Sequence, residues 1–248
     1  MRLLPFAALL CLPLLTACQS LPFGDDAAPP SKPQSVKWEQ HPPGCQGEKC
    51  SIINVDSLTF KDDAALSSLI EKTLLRMTSA NGNAINAANL REYADKWLKR
   101  EPQDGQCWLQ AKQIDQYNDM RVIELSSLLG RGEQVTPGRE FINYSSRQQR
   151  AIRLEHVLLK GKADEFWSLV HEAHTAWLAN TKLDQAPGFV AQWPFKPTRN
   201  IAFLKDHVLL KYEVHSIAPY TLGHPTLALP YRRLKGIFKP EFLPAELL

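Results

Sequence analysis

The sequence predicts an α+β fold, in which an antiparallel sheet built from hairpins has its helices packed on one side. Strand-like runs flank short turn signals such as Tyr117-Asn118-Asp119, which is typical of hairpins. Three longer runs place apolar residues at helical spacing. The predicted order is one strand, two helices, several strands, a helix and a final strand pair. Helices grouped between hairpins indicate α+β rather than alternating parallel units.

The first predicted elements are a strand and two helices. Residues 51–60 indicate a strand with Ile53, Val55 and Leu58 facing inward. Asp62 or Asp63 is expected to cap a helix that continues to about residue 79, and a second helix is expected over about 87–100. The expected buried faces are Leu66, Leu69, Ile70, Leu74 and Met77 in the first helix, and Leu90, Tyr93, Ala94, Trp97 and Leu98 in the second.

The middle of the chain predicts strands followed by one long helix. Residues 106–116 and 120–129 form a hairpin around the turn, and residues 133–144 form a strand that Pro137-Gly138 interrupts. Residues 150–153 suggest a short strand. The long helix covers about 163–180, with a buried face of Phe166, Leu169, Val170, Ala173 and Trp177.

The C-terminal stretch, residues 199–240, follows a set path over the core. Two β-rich runs on either side of Lys205-Asp206-His207 predict a hairpin. Pro219, Pro225 and Pro230 each fix φ and favour an extended residue before them. Gly223 offers a positive φ for a turn, so this stretch is expected to be ordered.

The N-terminal residues predict an exported, lipid-anchored protein. Arg2 precedes an apolar run of thirteen residues, which indicates a secretory signal over residues 1–17. At about 1.5 Å per residue, this run is too short to span a bilayer core of about 30 Å. Leu15-Thr16-Ala17-Cys18 resembles a bacterial lipobox, which implies cleavage before Cys18 and lipid on its sulfur; the alternative is an ordinary signal peptide. Residues 18–47 are rich in proline and predict a tether.

The remaining cysteines point to a disulfide in an oxidising compartment. Cys45 and Cys50 are the expected pair, with Cys107 a buried thiol. Pairing of Cys107 with one of the other two is the alternative. A metal site is not expected, because the three thiols lack C-x-x-C spacing.

The C-terminal motif resembles a known domain. Tyr212-Glu213, Ile217-Ala218-Pro219-Tyr220, Gly223, Leu229-Pro230-Tyr231 and Leu234-Lys235-Gly236 are similar to the C-terminal domain of RsiV-type proteins, named after an anti-sigma factor that senses lysozyme. The resemblance implies a companion domain, associated with polysaccharide deacetylases, over residues 48–130, and the RsiV-type domain over residues 131–248. One continuous fold over both regions is the alternative.

Several classes of function find no support in the residues. A net charge of +3 with no basic stripe does not indicate nucleic acid. His171 and His174 are spaced i and i+3 rather than the i and i+4 of a zincin, so we expect a helix-surface pair and no metal. No nucleophile elbow is present. We therefore predict no catalytic residues and no cofactor.

The expected function is non-enzymatic binding at the periplasmic face of the outer membrane. Tyr212, Tyr220, His224 and Tyr231 combine apolar bodies with polar tips, which makes them candidate binding residues; core and turn positions are the alternative. The resemblance implies a lysozyme-like muramidase or another envelope protein as the partner. Peptidoglycan binding is the second hypothesis, and cell-wall hydrolysis is the third.

Overall fold

Six strands form one sheet in which each strand lies beside the next along the chain. The structure is a computed structural model that describes residues 31–47, 49–79 and 84–247. All neighbours are antiparallel except β2 and β3, which are parallel because two helices connect them. The strands are β1 (Gln34–Gln40), β2 (Ile52–Thr59), β3 (Gly105–Tyr117), β4 (Met120–Arg131), β5 (Gln134–Ser145) and β6 (Arg150–Ile152).

Two capped helices cover one face of this sheet. At the start of helix α1 (Ala64–Met77), the Asp63 carboxylate accepts a hydrogen bond of 2.9 Å from the Leu66 amide. At the start of α2 (Leu90–Arg100), the Asn89 side chain accepts a hydrogen bond of 2.9 Å from the Glu92 amide. The core beneath them is apolar and includes Ile53, Val55, Leu66, Ile70, Leu74, Leu98, Leu109, Ile123 and Leu125.

A second sheet of three strands packs against the opposite face of β4 and β5. Its strands are β7 (Ile201–Phe203), β8 (His207–Lys211) and β9 (Thr226–Pro230), all antiparallel. Buried Asn143 of β5 joins the two sheets, because its Nδ2 donates to Ile201 O at 2.8 Å and its Oδ1 accepts from Phe203 N at 2.7 Å.

Three further helices complete the fold: α3 (Leu154–Val157), α4 (Ala163–Thr181) and α5 (Phe189–Gln192). Helix α4 packs against β9. The core shared by α4 and the two sheets includes Val122, Phe141, Val157, Phe166, Val170, Phe203, Val208, Leu210, Leu227, Leu229, Leu234 and Phe238.

The α+β prediction is confirmed, and most predicted elements are found within a few residues of their expected bounds. Three features differ. Strand β1 lies inside the predicted tether of residues 18–47 and pairs with β2. Strand β5 continues through Pro137-Gly138 without interruption. Because β6 pairs only with residues 143–145, Pro137 lies on a free edge of the sheet, where a residue without a backbone N–H is tolerated. Strand β9 adds a third strand to the predicted final hairpin.

The predicted faces of the strand and the long helix also need correction. Leu58 is only partly buried, and Ser57 occupies the inward position beside it. In α4 the buried residues are Phe166, Val170, His174 and Leu178, while Leu169, Ala173 and Trp177 are partly buried. The i, i+4 row that faces the core therefore passes through His174.

The predicted domain boundary at residues 130/131 falls within the β4–β5 hairpin, where Arg131 pairs with Gln134. The predicted signal peptide, Cys18 and the start of the tether lie outside the described residues. Of the helices that the structure describes, none has the length and apolar character needed to cross a membrane.

Candidate functional site

Two of the four candidate binding residues lie in the core. Tyr212 is 2% exposed and Tyr231 is 3% exposed. The Tyr231 hydroxyl donates to Leu204 O at 2.9 Å, which fixes the loop between β7 and β8. Neither ring reaches the surface. Both residues therefore fit the alternative interpretation, in which they are core residues that shape the motif.

Tyr220 lies at the surface. It is 50% exposed, and Leu222, two residues later, is 46% exposed. The Tyr220 hydroxyl donates to Val135 O at 3.2 Å, which ties its loop to the free edge of β5. Gly223 ends this loop with a φ of 64°, a conformation that few other residues adopt readily. We call residues 219–223 the tyrosine loop.

His224 is mostly buried behind the tyrosine loop. Its Nδ1 is 2.9 Å from Tyr212 O; because a carbonyl only accepts, Nδ1 carries the proton. Nε2 has no hydrogen-bond partner among the described residues. Burial lowers the pKa of His224, which favours the neutral imidazole. The Glu213 carboxylate lies 3.9 Å from Nδ1, at the edge of the site.

A charged network fills the seam between the two sheets. Lys211 at the end of β8 pairs with Glu124 of β4, and Arg139 of β5 lies 3.9 Å from the same carboxylate. The Glu213 carboxylate accepts from the Arg139 amide at 3.4 Å, and burial raises the pKa of Glu213. The seam therefore fixes the base of the tyrosine loop relative to β5.

A cleft of about 810 Å³ opens beside Glu213. Arg153 and Arg199 line it, and neither forms an ion pair within the part of the chain that the structure describes. Trp167 of α4 supplies an aromatic wall. Guanidinium groups bind carboxylates and phosphates in a planar, two-point manner, so the cleft can accommodate an anionic group.

The face of the large sheet away from α1 and α2 presents a tryptophan to solvent. Cys107 points into the core beneath α1 and α2, and the next residue, Trp108, points the opposite way and is 42% exposed. Trp108 lies in register with Asn54 on one side and Leu128 on the other. We call this surface the open face; it consists of Asn54, Asp56, Trp108, Gln110, Ser126, Leu128 and Pro137.

Sequence reasoning did not identify the open face. The alternation in Gly105-Gln106-Cys107-Trp108-Leu109 was the available signal, because it places a large aromatic residue on the side opposite a buried cysteine. Whether that second side is covered depends on the rest of the fold.

The structure contains a Cys45–Cys50 disulfide, with the two Cα atoms 5.9 Å apart, which is compatible with the predicted pair. Cys107 is a buried thiol whose pKa burial raises to about 12. A thiol in this state is a weak nucleophile. The described residues hold no cluster of three or more metal-ligating side chains.

The prediction that His171 and His174 both lie on the helix surface was wrong for His174. His171 is exposed, but His174 is 2% exposed and its Nε2 has no partner among the described residues. Its ring stacks on Trp177, with centroids 5.7 Å apart, and lies 5.5 Å from the ring of Phe195. Burial, followed by the nearby His171, lowers the pKa of His174, so the imidazole is neutral in the fold.

The motif that carries Tyr212, Tyr220, His224 and Tyr231 falls within a recognised family segment. A family model described as "Protein of unknown function (DUF3298)" matches residues 157–232. The chain is also 39% identical to a DUF3298 family protein from Pseudomonas aeruginosa PAO1, whose crystal structure matches with a TM-score of 0.82 over 88% of this chain and 98% of that one. This chain belongs to the DUF3298 family.

A more distant DUF3298 structure, from Bacteroides fragilis NCTC 9343, shows the same fold at 14% identity. It matches with a TM-score of 0.65 over 85% of this chain and 94% of that chain. No curated protein matches the chain. The tyrosine loop, Glu213 and His224 lie inside the DUF3298 segment, whereas Trp108 and the rest of the open face lie before it.

Proposed function

We propose that this DUF3298 protein is a non-enzymatic binding module of the bacterial envelope. Lipid on Cys18 holds it to the outer membrane, and the folded body faces the periplasm. Its partner is a lysozyme-like muramidase or another envelope protein. Two features support this proposal: the lipobox-like Leu15-Thr16-Ala17-Cys18, and the similarity of the C-terminal motif to RsiV-type proteins. Fold alone does not fix function, so the binding surface carries the argument.

The proposal depends on the exposed side chains of the tyrosine loop. It presents Tyr220 and Leu222 to solvent, while Tyr220 keeps a hydrogen bond to the backbone of β5. Tyrosine is enriched in protein interfaces, because it offers a large contact area with few rotatable bonds and a polar tip. A ring already held in place loses little conformational entropy on binding, which favours affinity.

Charged groups at the base of the loop add specificity. The partly exposed Glu213 carboxylate stands next to His224, and Arg139 lies behind it. Charges at the rim of an interface contribute mainly to selectivity and association rate rather than to affinity. We therefore assign the anchoring contact to Tyr220 and Leu222, and the selection of partners to Glu213.

Partner capture with the full-length lipidated protein in detergent tests the proposal. Periplasmic extract supplies unknown partners, and purified lysozyme serves as the named candidate. We expect saturable binding that Tyr220→Ala weakens by at least about tenfold, equivalent to roughly 1.4 kcal/mol. Val190→Ala is the matched control, because Val190 is 49% exposed on α5. Absence of any saturable protein partner, or equal binding by the Tyr220→Ala variant, would contradict the proposal.

The location is tested separately by the mass of the mature protein. We expect a chain that begins at Cys18 and carries acyl groups, and a Cys18→Ser variant that no longer fractionates with outer membranes. One lipid chain gives only marginal membrane binding, whereas two or three give stable anchoring. An unprocessed start at Met1 would refute the proposed location.

A further inference from the structure

Two parallel rows of side chains cross the open face at right angles to the strands. The register places Glu39, Asn54, Trp108, Leu128 and Pro137 in one row. Neighbouring strands are about 4.8 Å apart, so five strands give a row of about 19 Å. A row of this length can contact several consecutive units of an extended polymer. The second row consists of Lys37, Asp56, Gln110, Ser126 and Arg139.

Amide groups beside Trp108 offer unused hydrogen-bonding atoms. Asn54 Nδ2 donates to Glu39 at 3.1 Å, and Gln110 Nε2 donates to Asp56 at 3.2 Å. The carbonyl oxygens of both amides have no hydrogen-bond partner among the residues that the structure describes. Each amide is thus held in orientation by one bond, and retains an acceptor and a second N–H for a ligand.

The charges on the open face are largely compensated within the protein. Asp56 pairs with Lys37 at 3.3 Å, and Arg139 is directed towards Glu124 in the seam. The Glu39 carboxylate, at the β1 end of the first row, accepts from Asn54 and lies 3.1 Å from His41 Nε2. The groups left around the tryptophan are therefore neutral amides and a hydroxyl, together with the small apolar surfaces of Leu128 and Pro137. This surface is suited to a neutral ligand with many hydroxyl and amide groups.

We propose that the open face is a second binding site, which lies beside the tyrosine loop but uses other side chains, and that it binds the glycan strand of peptidoglycan through its N-acetylated amino sugars. The Trp108 ring packs on the C–H face of a pyranose. Leu128 and Pro137, in register with it, receive the acetamido methyl group, and Asn54 and Gln110 pair with acetamido and hydroxyl groups. The choice of peptidoglycan as the source rests on the proposed periplasmic location, whereas the amino-sugar chemistry rests on the face itself.

A protein partner fits this face less well. The apolar part of the surface consists of one ring and two partly buried neighbours, Leu128 and Pro137, with polar groups around them on every strand. The core of a protein interface is apolar and depleted in charged residues, and its polar groups are concentrated at the rim. The tyrosine loop, with two adjacent exposed apolar side chains, is the better protein-binding surface of the two.

Calorimetric titration of the full-length protein with chitotetraose, a tetramer of N-acetylglucosamine, tests the site. We expect saturable binding that is at least about tenfold weaker in Trp108→Ala, or roughly 1.4 kcal/mol, and less affected in Trp108→Phe. Cellotetraose, which lacks acetamido groups, is expected to bind at least about tenfold more weakly than chitotetraose. Equal melting temperatures of the variants will show that the fold is retained, since Trp108 is already 42% exposed.

Tyr220→Ala separates this site from the proposed protein-binding surface. It should leave chitotetraose binding unchanged, while Trp108→Ala should leave capture of a protein partner unchanged. Sedimentation with purified peptidoglycan, reduced in Trp108→Ala, identifies the source of the glycan. No saturable binding of chitotetraose, or equal binding by Trp108→Ala, would overturn the site. Equal affinity for cellotetraose would overturn the assignment to amino sugars, and failure to sediment would overturn the assignment to peptidoglycan.

Discussion

Removal of the Asp62 carboxylate should leave a buried arginine without its partner. The Arg121 side chain is 2% exposed, and its Nη2 donates to Asp62 at 2.8 Å. Its Nε and Nη1 have no partner among the described residues, and its guanidinium lies 4.6 Å from the ring centroid of Phe60. Asp62 is therefore the one carboxylate that compensates the Arg121 charge within the described structure. In Asp62→Ala that charge remains in the core without compensation.

The expected loss follows from the burial of the two partners. Breaking a fully buried ion pair costs about 3–5 kcal/mol, because the remaining charge stays desolvated. Asp62 is itself 40% exposed, so solvent already screens part of the interaction. We therefore expect Asp62→Ala to lower the free energy of unfolding by about 2–3 kcal/mol. For a protein of this size, that corresponds to a fall of about 5–10 °C in melting temperature.

The double variant Asp62→Ala/Arg121→Met isolates the cause. Methionine keeps an apolar chain against Phe60 and removes the unpaired charge. If the orphaned guanidinium is the source of the loss, the double variant will be more stable than Asp62→Ala in urea denaturation at pH 7. A double variant that is equally or less stable would refute this reasoning, since it would assign the loss to packing or to the Ser31 contacts of Asp62.

The contribution of Asp62 should also depend on pH in a defined direction. Hydrogen bonds from Arg121, and then from Ser31, hold the pKa of Asp62 well below its usual range. The unfolded chain therefore takes up this proton first, at about pH 3.9. The stabilisation is present in full above about pH 5 and is lost as the pH falls through 3.9 towards the pKa of the folded state. The difference between wild type and Asp62→Ala should be constant from pH 5 to 8 and shrink below pH 4.

Two other buried side chains give predictions of opposite sign. Asn143→Leu removes both hydrogen bonds between β5 and β7 and should lower the free energy of unfolding in urea by roughly 2–4 kcal/mol, because it leaves two buried backbone groups unpaired. A loss as small as that of the surface control Ser126→Ala would contradict this role. His174→Phe should raise stability by about 1 kcal/mol at pH 7, because it removes a buried ring nitrogen that has no partner among the described residues. The lowered pKa of His174 means that the unfolded state binds the proton first, so wild type should lose stability as the pH falls below about 6.5. Parallel melting profiles of wild type and His174→Phe from pH 8 to 5 would exclude this coupling.

Local chemistry allowed much of the fold to be predicted. The Asp63 cap and the Tyr117-Asn118-Asp119 turn each depend on residues a few positions apart, so a single stretch of sequence contains the whole signal. The two neighbouring aspartates could not be told apart in this way. Asp62 is directed to Arg121, 59 residues further on, and only Asp63 caps α1.

The candidate site was predictable only in part. The motif identified Tyr220 and His224, and the structure places the first at the surface and the second behind it. It also places Tyr212 and Tyr231 in the core, because an amphipathic tyrosine suits a surface or a buried position. The buried Tyr231 hydroxyl donates to Leu204 O, whereas the Tyr212 hydroxyl has no hydrogen-bond partner among the described residues.

The sequence by itself determined the α+β class, the order of most elements and the period at which side chains share a face of their element. Tertiary structure alone decided which of those faces is covered. A proline-rich segment forms strand β1 because it pairs with the edge of β2. His174 is buried because α4 packs on the core through the row of side chains that contains it. Trp108, on β3, is exposed because the small sheet packs on part of β4 and β5 and does not extend over this part of β3. The physical reason is that periodicity is set by neighbours along the chain, whereas burial is set by contacts between segments distant in sequence.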